Sequence, residues 1–134
     1  MMKMTRRLLL AVVAATPLMA GAANAEGLIT IIVNDPANPY WFTEGEVARQ
    51  TAEELGHTAN GAANKGDTNT ESTLIDTAIT NKSEAIILDP ANADGSIGAV
   101  KKAVDAGIPV ILVNAEINQE GLAKAQLVSN NSTY

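Results

Sequence analysis

Short apolar runs alternate along most of this chain with segments whose apolar residues recur at helical spacing. The clearest apolar runs are 28–33, 85–88 and 110–113. Runs of this length, bounded by turn-forming residues, are typical of the buried strands of a parallel sheet. Because strands that alternate with helices pair in parallel through right-handed crossovers, the sequence predicts an α/β fold. The expected form is a doubly wound parallel sheet in the flavodoxin-like order 2-1-3-4-5.

The segments between these strands fit helices with one apolar face. Three helices are predicted: one after Trp41 that stops at Gly56, one from Thr68 to near Asn81, and one from about 97 to a stop at Gly107. Thr68 and Glu71 have the spacing of a capping box at the start of the second helix. A weak run at 58–62 is predicted as an edge strand, and 125–128 as a last short strand after the loop 114–120.

The first 25 residues have the pattern of a secretory signal peptide. Three basic residues are followed by an apolar stretch at 8–15 and by small residues that end in Ala23-Asn24-Ala25. The apolar stretch is far shorter than the roughly 20 residues that span a bilayer. The sequence therefore predicts a signal peptide at 1–25 that is cleaved after Ala25, and one exported domain at 26–134.

Composition excludes several classes of function. The first 25 residues hold three of the nine basic side chains and none of the fifteen acidic ones, so residues 26–134 have a net charge of −9. An acidic domain without a basic stripe is not expected to bind nucleic acid. Because the chain has no cysteine, it has no lipid-attachment thiol, disulfide or thiolate metal site. We therefore expect a soluble protein of the bacterial periplasm that is not anchored to the membrane.

Asn and Asp side chains crowd the loops that follow the predicted strands. In a parallel sheet these loops meet at one edge, where α/β proteins bind their ligands. Asn and Asp are also favoured at helix caps and turns, so many of them are expected to have a structural role only. The residues of this predicted rim are Asn34, Asp35, Asn38, Asn64, Asp67, Asn69, Asp89, Asn92, Asp94, Asn114, Asn130 and Asn131.

Three of the four aromatic residues of the chain stand together as Tyr40-Trp41-Phe42, beside this rim. Aromatic rings next to amides and carboxylates suit a small polyhydroxylated molecule, because its C–H faces stack while its hydroxyls form hydrogen bonds. The first hypothesis for a ligand is therefore a sugar or polyol. The alternative for any single ring is that it closes the end of the hydrophobic core.

The sequence gives little support for catalysis, a cofactor or a metal. The single histidine, His57, is predicted at the opposite edge of the sheet, and Ser96 lacks the spacing of a nucleophile elbow. No nucleotide-binding glycine motif is present. Asn92, Asp94 and Gly95 match part of a calcium loop, but Pro90 and Lys101 stand where two ligands are needed. A protein that is not an enzyme is expected.

Three segments, in this order and spacing, resemble the ribose-type periplasmic sugar-binding proteins. They are 34–42 (NDPANPYWF), 85–90 (AIILDP) and 108–114 (IPVILVN), and the resemblance extends from about 27 to 131. These type I periplasmic binding proteins are substrate-binding proteins of ABC transporters. The resemblance implies two α/β lobes that close over a sugar and deliver it to an inner-membrane ABC permease. Residues 26–134 resemble the N-terminal lobe only, so a truncation before the second lobe is expected.

The resemblance also implies site residues. Asn38, Tyr40 and Trp41 fall where the family contacts its sugar, and Asn114 falls on its sugar-binding aspartate. The family's Asp-Arg pair is replaced here by Asn114-Ala115, followed by Glu116. Because the donors of the arginine are lost, another pentose, a tetritol or a similar polyol is as good a candidate as ribose, with Glu116 as an acceptor. The rim carboxylates Asp35 and Asp89 complete the candidate site.

Two other functions remain open at this point: a secreted single-domain hydrolase of flavodoxin-like fold, and a one-lobe module that binds another protein through the rim. A lone lobe is expected to bind sugar weakly or not detectably. It is also expected to expose apolar surface, with marginal stability or self-association as the result.

Overall fold

The computed structural model describes residues 26–129, and the segments 1–25 and 130–134 lie outside the described residues. The predicted signal peptide and the rim residues Asn130 and Asn131 are therefore not tested by the fold. The described part contains strands β1 (Glu26–Val33), β2 (His57–Ala63), β3 (Ala85–Leu88), β4 (Val110–Asn114) and β5 (Ala125–Val128), and helices α1 (Pro39–Glu54), α2 (Thr68–Thr80) and α3 (Ile97–Asp105).

The five strands form one sheet in the order β2-β1-β3-β4-β5, and every neighbouring pair is parallel. The predicted order and parallel pairing are confirmed. The weak run around 58–62 is an edge strand as predicted, one residue longer at each end than expected. None of the helices within residues 26–129 is long and apolar enough to cross a bilayer.

Helices α2 and α3 cover one face of the sheet and bury the larger part of the core there. Ile32, Ile86 and Leu112 point to this face from three neighbouring strands and pack with Ile75 of α2 and Val100 of α3. All five side chains are fully buried. Aliphatic side chains that fill such a layer each contribute about 1.5–3 kcal/mol by leaving water. The loop after β4 adds Ile117 and Leu122 to the edge of this core.

Helix α1 alone covers the opposite face, and it covers only part of it. Ile29, Ile31 and Val33 of β1 pack against α1. The same face continues across β3 and β4 to β5, where the side chain of Leu127 is 62% exposed. The predicted exposure of apolar surface is therefore present in the described part of the chain. Its predicted effects on stability and association are treated in the Discussion.

Two local predictions were wrong. Helix α1 begins at Pro39 rather than after Trp41, because Asn38 caps it and a proline is favoured at the first helical position. The predicted capping box of Thr68 and Glu71 is not formed. Asp67 is the N-cap of α2, and its Oδ1 accepts a hydrogen bond of 2.6 Å from the backbone N of Thr70. Glu71 instead turns inward and is fully buried.

Candidate functional site

The carboxyl ends of the strands bring the predicted rim residues to one edge of the sheet. Asp35 follows β1, Asn64 follows β2 and Asp89 follows β3, while Asn114 is the last residue of β4. Tyr40 lies above them in the first turn of α1. We call the group formed by Tyr40, Trp41, Asp89 and Asn114 the rim cluster, because contacts or electrostatic effects connect all four.

Asn114 is held at the centre of the rim cluster by both ends of its amide. Its Nδ2 donates to Oδ2 of Asp89 over 3.2 Å, and its Oδ1 accepts from the hydroxyl of Tyr40 over 3.1 Å. The Tyr40 hydroxyl also bonds to Oγ of Ser129, the residue after β5, at 3.1 Å. The first turn of α1 is thereby tied to the ends of β4 and β5.

The backbone at Asn114 is in the left-handed region, with a φ of 63°. The backbone N of Ala115 donates to the carbonyl of Val113 over 2.7 Å, so the three residues form a tight γ-type turn. Asn tolerates a positive φ better than most residues because its short polar side chain bonds locally. Strained backbone of this kind is concentrated at binding sites. In this protein the residue with the positive φ is also the one whose side-chain amide bonds to Asp89, at the end of β3.

Asp89 is a buried carboxyl, only 2% exposed, and it therefore acts inside the rim cluster rather than on its surface. Burial raises its pKa, while the amide of Asn114 and the indole N–H of Trp41 oppose this rise. The indole Nε1 is buried and forms no hydrogen bond of normal geometry within residues 26–129, but it lies near enough to Asp89 to affect the carboxyl. The amide of Asn114 and the indole N–H of Trp41 are therefore both oriented towards the carboxyl of Asp89.

The three adjacent aromatic rings do not form one platform. Tyr40 is 50% exposed and lines a groove beside β3 and β4, whereas Phe42 lines a smaller cavity on the β2 side of α1. Trp41 is half-buried between them and meets the Tyr40 ring edge to face, with centroids 6.2 Å apart and planes at 86°. Tyr40 and Trp41 are therefore at the rim cluster, and Phe42 is not.

Asn38 and Asp35 have structural partners in their own loop. Oδ1 of Asn38 accepts from the backbone N of Tyr40 over 2.9 Å and caps α1. Oδ1 of Asp35 accepts from the backbone N of Ala37 over 3.0 Å in a turn. Glu116 is exposed in the loop after β4 and makes no side-chain hydrogen bond to the rim cluster. The structure therefore brings four of the seven candidate residues into contact and leaves Asn38, Asp35 and Glu116 at its border.

Two carboxyls missed in the sequence lie directly below the rim. Glu71 is fully buried, and its Oε2 accepts from Nδ2 of Asn64 over 3.0 Å and from the backbone N of Ala91 over 2.7 Å. Burial raises the pKa of Glu71, against the effects of Ser96, Ala91 and Asn64. This network ties the loops after β2 and β3 together.

The second missed carboxyl is Glu44 of α1, whose pKa is raised to about 7 by burial and, to a smaller degree, by the charge of Asp89. Both glutamates had a sequence signal. Glu44 falls between Trp41 and Ala48 on the inward stripe of α1, and Glu71 falls one turn before Ile75 on that of α2. A charged residue on an apolar stripe indicates a buried polar role.

The residues considered for catalysis are not arranged for it. Ser96 is fully buried, and its Oγ accepts from the backbone N of Asn92 over 3.2 Å. His57 begins β2, at the opposite edge of the sheet from the rim, with its Nδ1 3.7 Å from Oε2 of Glu84. Between Glu26 and Ser129, no three His, Asp or Glu side chains are grouped so as to hold a metal ion.

Comparison with known proteins identifies the family of this chain. A family model described as a periplasmic binding protein domain matches residues 29–133. A D-apiose import binding protein from Actinobacillus succinogenes is 47% identical over 105 residues, which are 78% of this chain and 34% of that protein. A protein of the same description from Paraburkholderia graminis is 44% identical over 111 residues, 83% of this chain and 36% of that protein.

A solved structure supports the same assignment. An ABC transporter solute binding protein from Agrobacterium vitis, with bound D-fucose, has a TM-score of 0.69 and 26% identity, and the match covers 79% of this chain and 38% of that one. The chain spans about a third of the length of the two apiose-binding relatives. The resemblance inferred from the three sequence segments is confirmed, and the chain belongs to the family of periplasmic binding protein domains.

Proposed function

We propose that this chain supplies one lobe of the sugar-binding cleft of a periplasmic solute-binding protein, and that it binds and delivers its ligand without catalysis. The observation that carries the proposal is the rim cluster, in which Tyr40 presents a half-exposed ring beside the fixed amide of Asn114. A ring face next to an oriented amide is the pairing that a sugar or polyol needs.

The ligand that we propose to test first is D-apiose, a pentose. The names of the relatives from A. succinogenes and P. graminis support this choice. Asn38, Asp35 and Glu116 border the rim cluster and are proposed as further contacts to the sugar. In this proposal residues 26–134 are the N-terminal lobe, and the partner that receives the sugar is an inner-membrane ABC permease.

The binding proposal can be tested by NMR, because Trp41 is the only tryptophan in the chain and gives one indole N–H signal. Titration with D-apiose is expected to shift this signal with saturation in the millimolar range, since one lobe encloses only part of a ligand. D-Ribose and D-fucose serve as comparison sugars. If no sugar moves the signal at up to about 100 mM, the proposal is wrong.

Two variants connect such a shift to the rim cluster. Tyr40→Phe removes the hydroxyl bonded to Asn114 and Ser129 and is expected to weaken sugar binding. Phe42→Ala removes a neighbouring ring that lies on the other side of α1 and is expected to leave binding unchanged. Equal effects of the two variants would place the binding site elsewhere.

We further propose that residues 1–25 direct export and are removed after Ala25. The intact mass of the chain recovered from a periplasmic extract tests this proposal. Loss of residues 1–25 is expected, and recovery of the uncleaved chain from the cytoplasm alone would contradict it.

A further inference from the structure

Glu44 is a half-buried carboxyl in an otherwise apolar groove. The groove has a volume of about 660 Å³ and lies between α1 and the sheet face formed by β1, β3 and β4. The strands contribute only aliphatic side chains to it, namely Ile31, Val33, Ile87 and Val113. Glu44 is its only charged residue and Tyr40 its only other titratable one. The Oε2 atom of Glu44 is buried without a hydrogen-bond partner among the described residues.

The charge that acts on Glu44 from outside its own helix is the carboxylate of Asp89, at the end of β3. The ion pairs of Arg49 with Glu46 and Glu53 belong to the same helix, and Arg49 and Glu46 line the cavity on its β2 side. No basic side chain therefore lines the groove to neutralise Glu44. Glu71 of α2 is a further carboxyl that interacts with Asp89, and its Oε2 accepts from Asn64 and from the backbone N of Ala91. Neighbouring carboxyls such as Glu44 and Asp89, with no cation between them, raise each other's pKa values.

The two carboxyls differ in their partners, and this decides which one keeps a proton. Asp89 has the amide of Asn114 and the nearby indole of Trp41, which favour its ionised form. Glu44 has neither, and its pKa of about 7 means that it is largely protonated in mildly acidic solution. While Glu44 keeps its proton, the pair has at most one negative charge, that of Asp89. Ionisation of Glu44 adds a second one.

We propose that Glu44 is a positioning residue for the rim cluster: its proton keeps a further negative charge away from Asp89 on the α1 side, and the carboxylate of Asp89 then holds Asn114 and Trp41 in the orientations seen here. Ionisation of Glu44 adds a like charge beside Asp89 and disturbs both orientations. The inference rests on the proposed function only for the nature of the ligand, because the state of the carboxyl pair can be measured without any sugar.

The indole N–H signal of Trp41 reports this pair, because Trp41 is one turn from Glu44 and its indole faces Asp89. In the full chain, the signal is expected to shift between about pH 5 and about pH 9 with a midpoint near the pKa of Glu44. Glu44→Gln, which keeps the shape and the neutral charge, is expected to abolish the shift. An unchanged midpoint in Glu44→Gln would overturn the inference.

Three further variants make the assignment specific. Glu54→Gln removes an exposed carboxyl from the same helix, and His57→Gln removes the single histidine of the chain; both are expected to keep the titration. Asp89→Asn removes the second negative charge and is expected to lower the midpoint without abolishing it, because burial is the larger cause of the raised pKa. Loss of the titration in His57→Gln, or a midpoint unmoved by Asp89→Asn, would contradict the proposed pair.

A sugar titration at pH values on both sides of the midpoint separates this inference from the proposed function. If sugar binds, the affinity of the wild-type chain is expected to be lower above the midpoint than below it. The affinity of Glu44→Gln is expected to be the same at the two pH values. Equal loss of affinity in both proteins would overturn the positioning role. If the Trp41 signal follows the ionisation of Glu44 but no sugar moves that signal at either pH, the proposed function fails while the carboxyl pair is supported.

Discussion

Asn114 shows how one residue can combine a backbone role with a side-chain role. Its positive φ makes the sharp turn at the end of β4, and its amide joins Asp89 to Tyr40. A residue other than glycine in this backbone region carries a strain of about 1 kcal/mol or more. The two hydrogen bonds of the amide offset this strain. Replacement of the side chain therefore exposes a difference between glycine and alanine.

Asn114→Ala and Asn114→Gly both remove the side-chain amide. The positive φ at this position is unfavourable for alanine but not for glycine. We expect Asn114→Ala to lower the free energy of unfolding by about 2 kcal/mol, and Asn114→Gly by about 1 kcal/mol less than that. Urea unfolding followed by Trp41 fluorescence measures both values. Equal losses for the two variants would show that the backbone at position 114 relaxes when the amide is absent.

Helix α1 is the element that links the hydrophobic core to the rim cluster. Its inward stripe packs on β1, and its first turn begins with the cap at Asn38 and includes Tyr40 and Trp41. An N-cap side chain typically contributes about 1 kcal/mol, because it satisfies a free backbone N–H of the first turn. A change at Asn38 therefore alters the helix as well as any contact with a ligand.

The two roles of Asn38 can be separated by choosing the substitution. Asn38→Ala removes both the cap and the amide and is expected to lower the free energy of unfolding by about 1 kcal/mol. Asn38→Ser keeps a capping oxygen but loses the amide, so stability is expected to stay within about 0.5 kcal/mol of the original value. Chemical denaturation measures stability, and the sugar titration measures binding. Weaker binding in both variants with normal stability in Asn38→Ser would support a direct contact with the sugar.

At this scale the sequence predicted the strands and their order well, because buried strands such as 85–88 are apolar throughout and bounded by turn residues. The sequence-based prediction was wrong where a polar side chain could bond either within its own helix or to a distant loop. Glu71 has capping-box spacing from Thr68, but a fully buried contact with Asn64 and Ala91 is formed instead. Local spacing could not reveal these partners, since Ala91 is 20 residues away.

In the candidate site, too, the sequence predicts the positions of residues better than the partners of their side chains. The aromatic cluster predicts Tyr40, the rim predicts Asn114, and the family resemblance predicts both; the structure places the two side chains in contact. The family resemblance predicts Asn38 and the rim position predicts Asp35; their side chains cap α1 and close a turn in their own loop, and their contact with a ligand stays a prediction. Glu44 was missed because its importance depends on a groove between α1 and two strands that are distant in sequence.

The whole molecule has an uneven distribution of apolar surface. One face of the sheet is covered by α2 and α3, whereas the other is covered by α1 only, and the apolar surface continues to Leu127 on the edge strand β5. Val47 of α1 and Leu55, the C-cap of that helix, are also exposed. Contiguous apolar surface next to an unpaired strand edge favours association. We therefore expect the isolated chain to be marginally stable or to self-associate.

Leu127 and Val128 provide a matched pair to test this expectation, because they are adjacent on β5 and point to opposite faces of the sheet. Both are exposed, and Leu127 extends the open apolar face beside Val113. Leu127→Lys is expected to reduce concentration-dependent association measured by sedimentation velocity, and Val128→Lys is expected to have a smaller effect. A monomeric chain with the urea midpoint of an ordinary domain would contradict the expectation.

The bonds around Ser129 also have a mechanical consequence. Oγ of Ser129 is bonded to Tyr40, and its backbone N donates to the carbonyl of Asn114 over 3.0 Å. Ser129 therefore joins the first turn of α1 to the end of β4. A displacement of the Tyr40 ring strains the bonds at Ser129, and a displacement of the backbone at Ser129 strains the hydrogen bond to Tyr40.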